Sequence, residues 1–226
     1  MRYLGFLLFG VYPYLAGTVF LLGSLIRFER EQFTWKAHSS QMLNNQRMRL
    51  ASNLFHVGIL LTFGGHFFGL LTPPEVFHVL GIPASAKQML AIVAGGIFGT
   101  MCCIGLTMLV RRRLTDPRVR STSSSMDICI LLMLYVQLLL GLLTIPISLA
   151  HLDGHTMLLL MTWARNIATF DPQQAVSALA EVGWLFRLHL LLGMTIFLVF
   201  PFSRLVHIWS APISYMIRPY QVVREL

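Results

Sequence analysis

Five apolar runs constrain this chain more than any other feature, because each is long enough to cross a bilayer as a helix. The runs extend from about Tyr3 to Ile26, Leu50 to Leu71, Gln88 to Val110, Met126 to Ala150 and Gly183 to Ile208. Of the 226 residues, 56% are hydrophobic and 12% are charged, which leaves no room for a large aqueous domain. We therefore expect an all-α polytopic membrane protein in which residues 1–226 form a single integral-membrane domain.

Basic residues are distributed unevenly between the loops, and this bias predicts the orientation of the chain. The side reached after the first, third and fifth runs carries Arg27, Arg30, Lys36, Arg47, Arg49, Arg111, Arg112, Arg113, Arg118, Arg120, Arg204, Arg218 and Arg224. The opposite side carries only Arg2, Lys87, Arg165 and Arg187. The N-terminus is thus predicted outside and the C-terminus in the cytoplasm. The net charge of +8 is then a topology signal and gives no reason to expect nucleic acid as a partner. The first run lacks an evident cleavage site, so it is expected to remain as a helix rather than to be a signal peptide.

Four of the eight histidines lie within the second and fifth apolar runs: His56, His66, His189 and His207. A single histidine in a membrane helix often only hydrogen-bonds a neighbouring helix. Four histidines confined to two helices fit haem ligation better, because imidazole is a common iron ligand and facing helices build cofactor sites. The sequence has no CxxCH motif, so any haem is held non-covalently. Antiparallel helices predict an inner haem between His56 and His207 and an outer haem between His66 and His189.

The spacing of the histidines agrees with this pairing only in part. In continuous helices, the ten residues from His56 to His66 span roughly 15 Å, whereas the eighteen from His189 to His207 span roughly 27 Å. A kink at Pro201 is expected to absorb the difference. The glycines of the second run would let a porphyrin approach the helix, although ordinary small-residue packing explains each of them equally well. These glycines are Gly58, Gly64, Gly65 and Gly69.

Several basic residues are candidates for binding the other parts of a haem or a quinol. Haem propionates are anionic, so Arg111, Arg112, Arg113 or Arg204 could pair with them, with Arg112 and Arg204 favoured. The competing role for these arginines is topology or contact with lipid headgroups. Lys87 lies at the membrane level of the predicted outer haem, where it either snorkels to the interface or donates to a quinone oxygen. Gly65 is the second candidate quinol contact.

The remaining histidines and the cysteines have weaker claims to function. His38, His78, His151 and His155 fall in predicted loops, where a solvated imidazole is the default. The motif HLDGH, residues 151–155, is too weak a cluster for a metal site to be expected there. The cysteines Cys102, Cys103 and Cys129 lack metal-site spacing and are expected to pack as small apolar residues.

Four segments together resemble one known family. They are SNLFHVGILLTFGGHFFGLLTP, FRLHLLLGMTIFLVFPFSRLVHIWSAP, GVYPYLAGTVFLLGSLIRF and AKQMLAIVAGG. Their sequences and spacing are similar to those of the gamma subunit of respiratory nitrate reductase, a membrane cytochrome b. The resemblance covers essentially the whole chain and is weakest from Thr156 to Glu181.

The resemblance implies cofactors, partners and a location. In that family, two b haems are stacked across the membrane, with ligands that match His56 with His207 and His66 with His189. Lys87 matches a lysine implicated in quinol binding near the outer haem. An iron-sulphur beta subunit binds at the cytoplasmic face and passes electrons to a molybdenum-containing alpha subunit, where nitrate is reduced. The expected location is a bacterial-type cytoplasmic (inner) membrane, which supplies the quinol pool.

The predicted function is therefore oxidation of quinol by a di-haem cytochrome b that anchors a cytoplasmic nitrate reductase, in nitrate respiration or assimilation. Two protons are released outside, and two electrons pass through the outer and inner haems to the iron-sulphur subunit. One alternative is a related cytochrome b that serves a sulphur or heterodisulphide oxidoreductase. The other is a proton-coupled transporter that uses its histidines as proton relays.

Overall fold

The computed structural model describes residues 2–31 and 46–210, and within these ranges the chain forms helices and turns without any strand. Five helices are long and apolar enough to cross a membrane, which confirms the expected all-α, five-span architecture. We call them the first to fifth spans: Tyr3–Arg30, Arg47–Leu71, Ala84–Thr115, Ser125–Ala150 and Trp184–Phe202. The predictions made for Lys36, His38, Arg218 and Arg224 concern residues outside the described ranges.

Successive spans run in opposite directions and pack in a defined order. The second span packs along the third, the third along the fourth, the fourth along the fifth, and the fifth along the first. One end of the bundle, here called the basic end, holds Arg27, Arg113 and Arg204, and the other, the Lys87 end, holds Lys87. The second and fifth spans face each other through ring contacts, of which Phe63 with Phe197 is the central one, with ring centroids 6.4 Å apart.

Glycines allow the second and third spans to approach each other closely. A Cβ added at Gly105 would lie 2.5 Å from the backbone nitrogen of Phe55, and one added at Gly58 would lie 2.7 Å from Cys102. Neither position has room for a side chain, since the neighbouring atoms belong largely to backbone. Gly58 therefore serves helix packing, and its candidate role in admitting a porphyrin is wrong.

Shorter helices connect the spans. Pro74–Val79 lies between the second and third spans, and Pro117–Ser121 between the third and fourth. The connection to the fifth span contains His155–Ala168, here called the loop helix, followed by Pro172–Ala178 and the 3-10 turn Leu179–Glu181. The loop helix packs against the first span, where the indole nitrogen of Trp163 donates to the carbonyl of Phe9 at 3.1 Å. That carbonyl lies in the π-helical turn Leu7–Val11.

The fifth span is interrupted where a kinked but continuous helix was predicted. Its α-helix covers Trp184–Val199 and continues as the 3-10 turn Phe200–Phe202. Ser203 is extended, with φ −112° and ψ 175°, and a second 3-10 helix covers Arg204–Ile208. Proline supplies no backbone N–H and clashes with the preceding turn, so Pro201 favours termination here. The predicted single helix from Gly183 to Ile208 is therefore wrong in its last third.

Candidate functional site

The predicted outer pair of histidines meets across the gap between the second and fifth spans. The ring centroids of His66 and His189 are 6.1 Å apart, with an interplanar angle of 45°. His66 is exposed within the chain, although it belongs to an apolar helix that can cross a membrane. An imidazole at such a depth needs a polar partner or a ligand.

The predicted inner pair has nearly the same separation. The ring centroids of His56 and His207 are 6.3 Å apart, with an interplanar angle of 78°. A metal atom held at about 2.0 Å by one nitrogen of each ring requires centroids about 6 Å apart. Both pairs therefore have a centroid separation that matches two imidazoles binding one metal ion between them.

Backbone carbonyls orient three of the four imidazoles. Nδ1 of His56 lies 2.7 Å from the Ser52 carbonyl, and Nδ1 of His66 lies 2.8 Å from the Thr62 carbonyl. Nδ1 of His207 lies 2.7 Å from the carbonyl of Arg204. A carbonyl only accepts, so Nδ1 is the donor in each ring, and Nε2 is the nitrogen left to bind a metal. Metal-binding histidines usually donate their other ring N–H to a carbonyl or carboxylate in this way.

His189 is held differently, by the fourth span. Its ring lies against Gly141, where an added Cβ would meet Cε1 at 3.1 Å. The side-chain nitrogen of Gln137 is 3.5 Å from Nε2 of His189, while Nδ1 of His189 and Oε1 of Gln137 are buried without partners. Gln137 and Gly141 are neighbours of the site that the histidine pattern did not reveal.

The break in the fifth span removes the mismatch between the histidine spacings. From His189 to Val199 the α-helix rises roughly 15 Å, the same as the rise from His56 to His66 in the second span. The eight residues from Phe200 to His207 then form two short 3-10 segments with an extended residue between them. His207 can therefore face His56 without the further helical rise that a continuous span would impose.

Three glycines near His66 are not covered by other residues of the chain. A Cβ added at Gly64, Gly65 or Gly69 would meet no atom within 4 Å. Within residues 2–31 and 46–210, no group of three or more His, Cys, Asp or Glu side chains is arranged to hold a metal ion. Each pair of imidazoles would instead supply two ring nitrogens to the iron of a haem, whose remaining ligands belong to the cofactor itself. The residues present thus fit haem b.

The arginines predicted to bind propionates lie at the basic end, where the carbonyl of Arg204 accepts from His207. Nε of Arg204 is 3.8 Å from Asp127 Oδ1, and a nitrogen of Arg113 is 4.0 Å from Asp127 Oδ2. Asp127 also completes a capping box with Ser124 at the start of the fourth span. Arg112 is half-buried at the same end of the third span. Arg204 contacts the predicted site directly, because its carbonyl accepts from His207.

Lys87 points into the protein instead of snorkelling outward. Its side chain is buried, and Nζ donates to the carbonyl of Gly69 at 2.9 Å and lies 2.9 Å from the sulphur of Met161. Nζ also stands over the Phe77 ring, 3.7 Å from the centroid. The snorkelling alternative is therefore wrong. Gly65, the other candidate quinol contact, borders open space on the second span, beside His66.

The loop histidines have partners of their own. His155 Nε2 is 3.0 Å from Glu181 Oε2, and the backbone N–H of His155 donates to Asp153. Nδ1 of His151 is 3.2 Å from the Ile147 carbonyl. His78 is exposed on the short helix Pro74–Val79. In the part of the chain that the structure describes, the contacts found for these histidines do not involve the two histidine pairs.

Comparison with known proteins gives a consistent result over the full length. The family model of the nitrate reductase gamma subunit matches residues 5–226. The respiratory nitrate reductase 1 gamma chain of Escherichia coli K12 is 52% identical over 224 residues, covering 99% of both chains. The respiratory nitrate reductase 2 gamma chain of the same organism is 50% identical, covering 100% of this chain and 99% of its own.

A more distant relative is also matched from end to end. The nitrate reductase gamma chain of Bacillus subtilis is 37% identical over 221 residues, covering 98% of each chain. The chain therefore belongs to the nitrate reductase gamma subunit family and is a multi-pass membrane subunit of an oxidoreductase complex.

Proposed function

We propose that this chain binds two haems b, one between His56 and His207 and the other between His66 and His189, and that it oxidises quinol for a nitrate reductase. The observation that carries the proposal is the pair of facing imidazoles at each of two levels, with centroids 6.3 and 6.1 Å apart. Membership of the gamma subunit family supports the same cofactor class.

The chain's own residues hold, orient and shield the cofactors. When bound, the haems supply one-electron transfer between the quinol site and the iron-sulphur subunit. The carbonyls of Ser52, Thr62 and Arg204 keep three Nε2 atoms available as ligands. Phe63 and Phe197 pack between the two levels and keep the region between them apolar. At the basic end, Arg112 and Arg204 provide positive charge for the propionates.

Quinol binds at the Lys87 end in this proposal. The ammonium of Lys87 donates to a quinone oxygen, exchanging one of its present partners, Gly69 or Met161, for the substrate. Gly65 leaves space for the quinone ring beside His66, because a side chain there would project into the open region. A charged donor in an apolar pocket gives a strong and directional hydrogen bond.

The orientation proposed from the basic loops places the Lys87 end outside and the basic end in the cytoplasm of a bacterial inner membrane. The whole chain, residues 1–226, then acts as one membrane domain. Protons leave to the outside, and electrons move inward to an iron-sulphur beta subunit and a molybdenum-containing alpha subunit. Moving each electron against the membrane potential costs about 2.3 kcal/mol per 100 mV, which the redox reaction must supply.

Isolation of the intact complex in mild detergent tests the proposal. Pyridine haemochrome analysis should give two haems b per copy of this chain, and metal analysis should give iron-sulphur and molybdenum in the partners. The exposed His78 offers a matched control, since His78→Ala should retain both haems. Absence of b-type absorption would contradict the proposed haem binding. Two haems with a partner that lacks molybdenum would contradict the proposed alpha subunit.

A further inference from the structure

Arg27 of the first span binds the interrupted part of the fifth span. One guanidinium nitrogen donates to the carbonyl of Pro201 at 2.6 Å and to the carbonyl of Ser203 at 3.0 Å. The N–H of Leu205, which in a continuous helix would bond to the Pro201 carbonyl, instead donates to Oγ of Ser203 at 3.2 Å. The interruption thus leaves a backbone acceptor that a side chain from another span satisfies.

The first span is shaped to reach this interruption. Gly23, one helical turn before Arg27, lies against the ring of Pro201, and an added Cβ would be 2.9 Å from the proline Cγ. Phe20, a further turn back, makes an edge contact with Phe200, with ring centroids 4.9 Å apart. Three residues on one face of the first span, Phe20, Gly23 and Arg27, therefore contact the interrupted segment.

The interruption in turn sets the position of His207. Oγ of Ser203 caps the 3-10 helix Arg204–Ile208, which carries His207, and the carbonyl of Arg204 orients the imidazole. An intact helix would carry His207 beyond the level of His56. We propose that Arg27 is a positioning residue for the basic-end haem: by binding the Pro201 and Ser203 carbonyls it keeps His207 facing His56. This inference rests on the proposed haem ligation.

A role in topology alone does not explain the contacts of Arg27. Arg30, one turn further along, has the same charge at the same end of the first span but is exposed. Both arginines contribute equally to a charge bias between the two sides. A positioning role therefore predicts that the two residues differ, whereas a topological role predicts that they behave alike.

The test compares Arg27→Gln with Arg30→Gln in the intact complex, using low-temperature EPR and redox titration of the two haems. Arg27→Gln should shift the signal and midpoint potential of the basic-end haem, or lower its occupancy, and leave the Lys87-end haem unchanged. Arg30→Gln should change neither haem. Arg27→Lys keeps a donor and should restore part of the signal. Unchanged signals in Arg27→Gln, or equal effects of the two substitutions, would overturn the inference.

A second pair of variants serves if Arg27→Gln does not assemble. Gly23→Ala places a methyl group against Pro201, whereas Gly17→Ala, on the same helix, meets no atom within 4 Å. Only Gly23→Ala should perturb the basic-end haem, and equal spectra for the two variants would count against the inference. His207→Ala distinguishes a failure of the haem-ligand assignment from a failure of the inference about Arg27. If it leaves both haems unchanged, the ligand assignment fails and the inference with it. If it removes one haem that Arg27→Gln and Gly23→Ala leave unaltered, only the inference fails.

Discussion

The ring of His66 on the second span and the ring of His189 on the fifth span face each other, with their centroids 6.1 Å apart. Each of the two residues supplies one of only two axial ligands in the proposed outer site. We expect the His66→Ala variant to lose the Lys87-end haem and quinol-dependent nitrate reduction, because the substitution removes one of the two imidazoles that would hold the iron. Reduction of nitrate with an artificial soluble donor should continue. Difference spectra that still show both haems would refute this ligand assignment.

Replacement of the other pair should have a different effect. We expect His207→Ala or His56→Ala to remove the basic-end haem and stop electron delivery to the soluble partner, while the Lys87-end haem stays reducible by quinol. Stopped-flow reduction followed by haem quantification separates the two events. Normal rates of electron delivery without the basic-end haem would contradict the proposed order of transfer.

Lys87→Ala should weaken quinol binding and leave both haems in place. A hydrogen bond to a charged group is worth about 1.5–3 kcal/mol, which corresponds to a roughly 10- to 100-fold loss of affinity. Met161→Leu is the matched control, because it removes the sulphur contact of Nζ while keeping apolar volume. Quinol titration and inhibitor binding on the assembled complex provide the measurement. Equal affinities for Lys87→Ala and the parent complex would exclude a binding role.

Packing of the second span against the third predicts the effect of a single methyl group. Gly105→Ala would place its Cβ 2.5 Å from the backbone nitrogen of Phe55 and 2.7 Å from the carbonyl of Ala51. Backbone atoms cannot move aside cheaply, so a loss of about 1–3 kcal/mol of stability is expected. Gly95→Ala, on the same helix, meets nothing within 4 Å and should be neutral. The two variants are compared by thermal unfolding of the detergent-solubilised complex. Equal unfolding midpoints would contradict the prediction, because they would show that the contact at Gly105 tolerates a methyl group.

The five spans and the facing histidines could be anticipated because neither depends on the details of side-chain packing. Apolar length gives each span, and the antiparallel order places His56 opposite His207 and His66 opposite His189. The end of the fifth helix at Val199 could not be derived in this way. Pro201 signals a disturbance, but whether a helix bends or stops depends on donors from elsewhere, here Arg27.

The burial of the Lys87 side chain likewise could not be predicted from the sequence. Its position in the sequence is compatible both with the interface and with the protein interior, and only the carbonyl of Gly69, the sulphur of Met161 and the ring of Phe77 decide between them. These partners come from three separate segments. Likewise, Gly58 and Gly65 have the same local character, yet one faces Cys102 and the other faces open space.

The order in which the spans pack has a consequence for biogenesis. The second and fifth spans meet through the ring pairs His56–His207, Phe63–Phe197 and His66–His189. If the chain binds haem as proposed, the cofactor would have to displace only these side chains to enter between the two spans. On the proposal of two haems, we expect cofactor loading to follow insertion of the helices into the membrane.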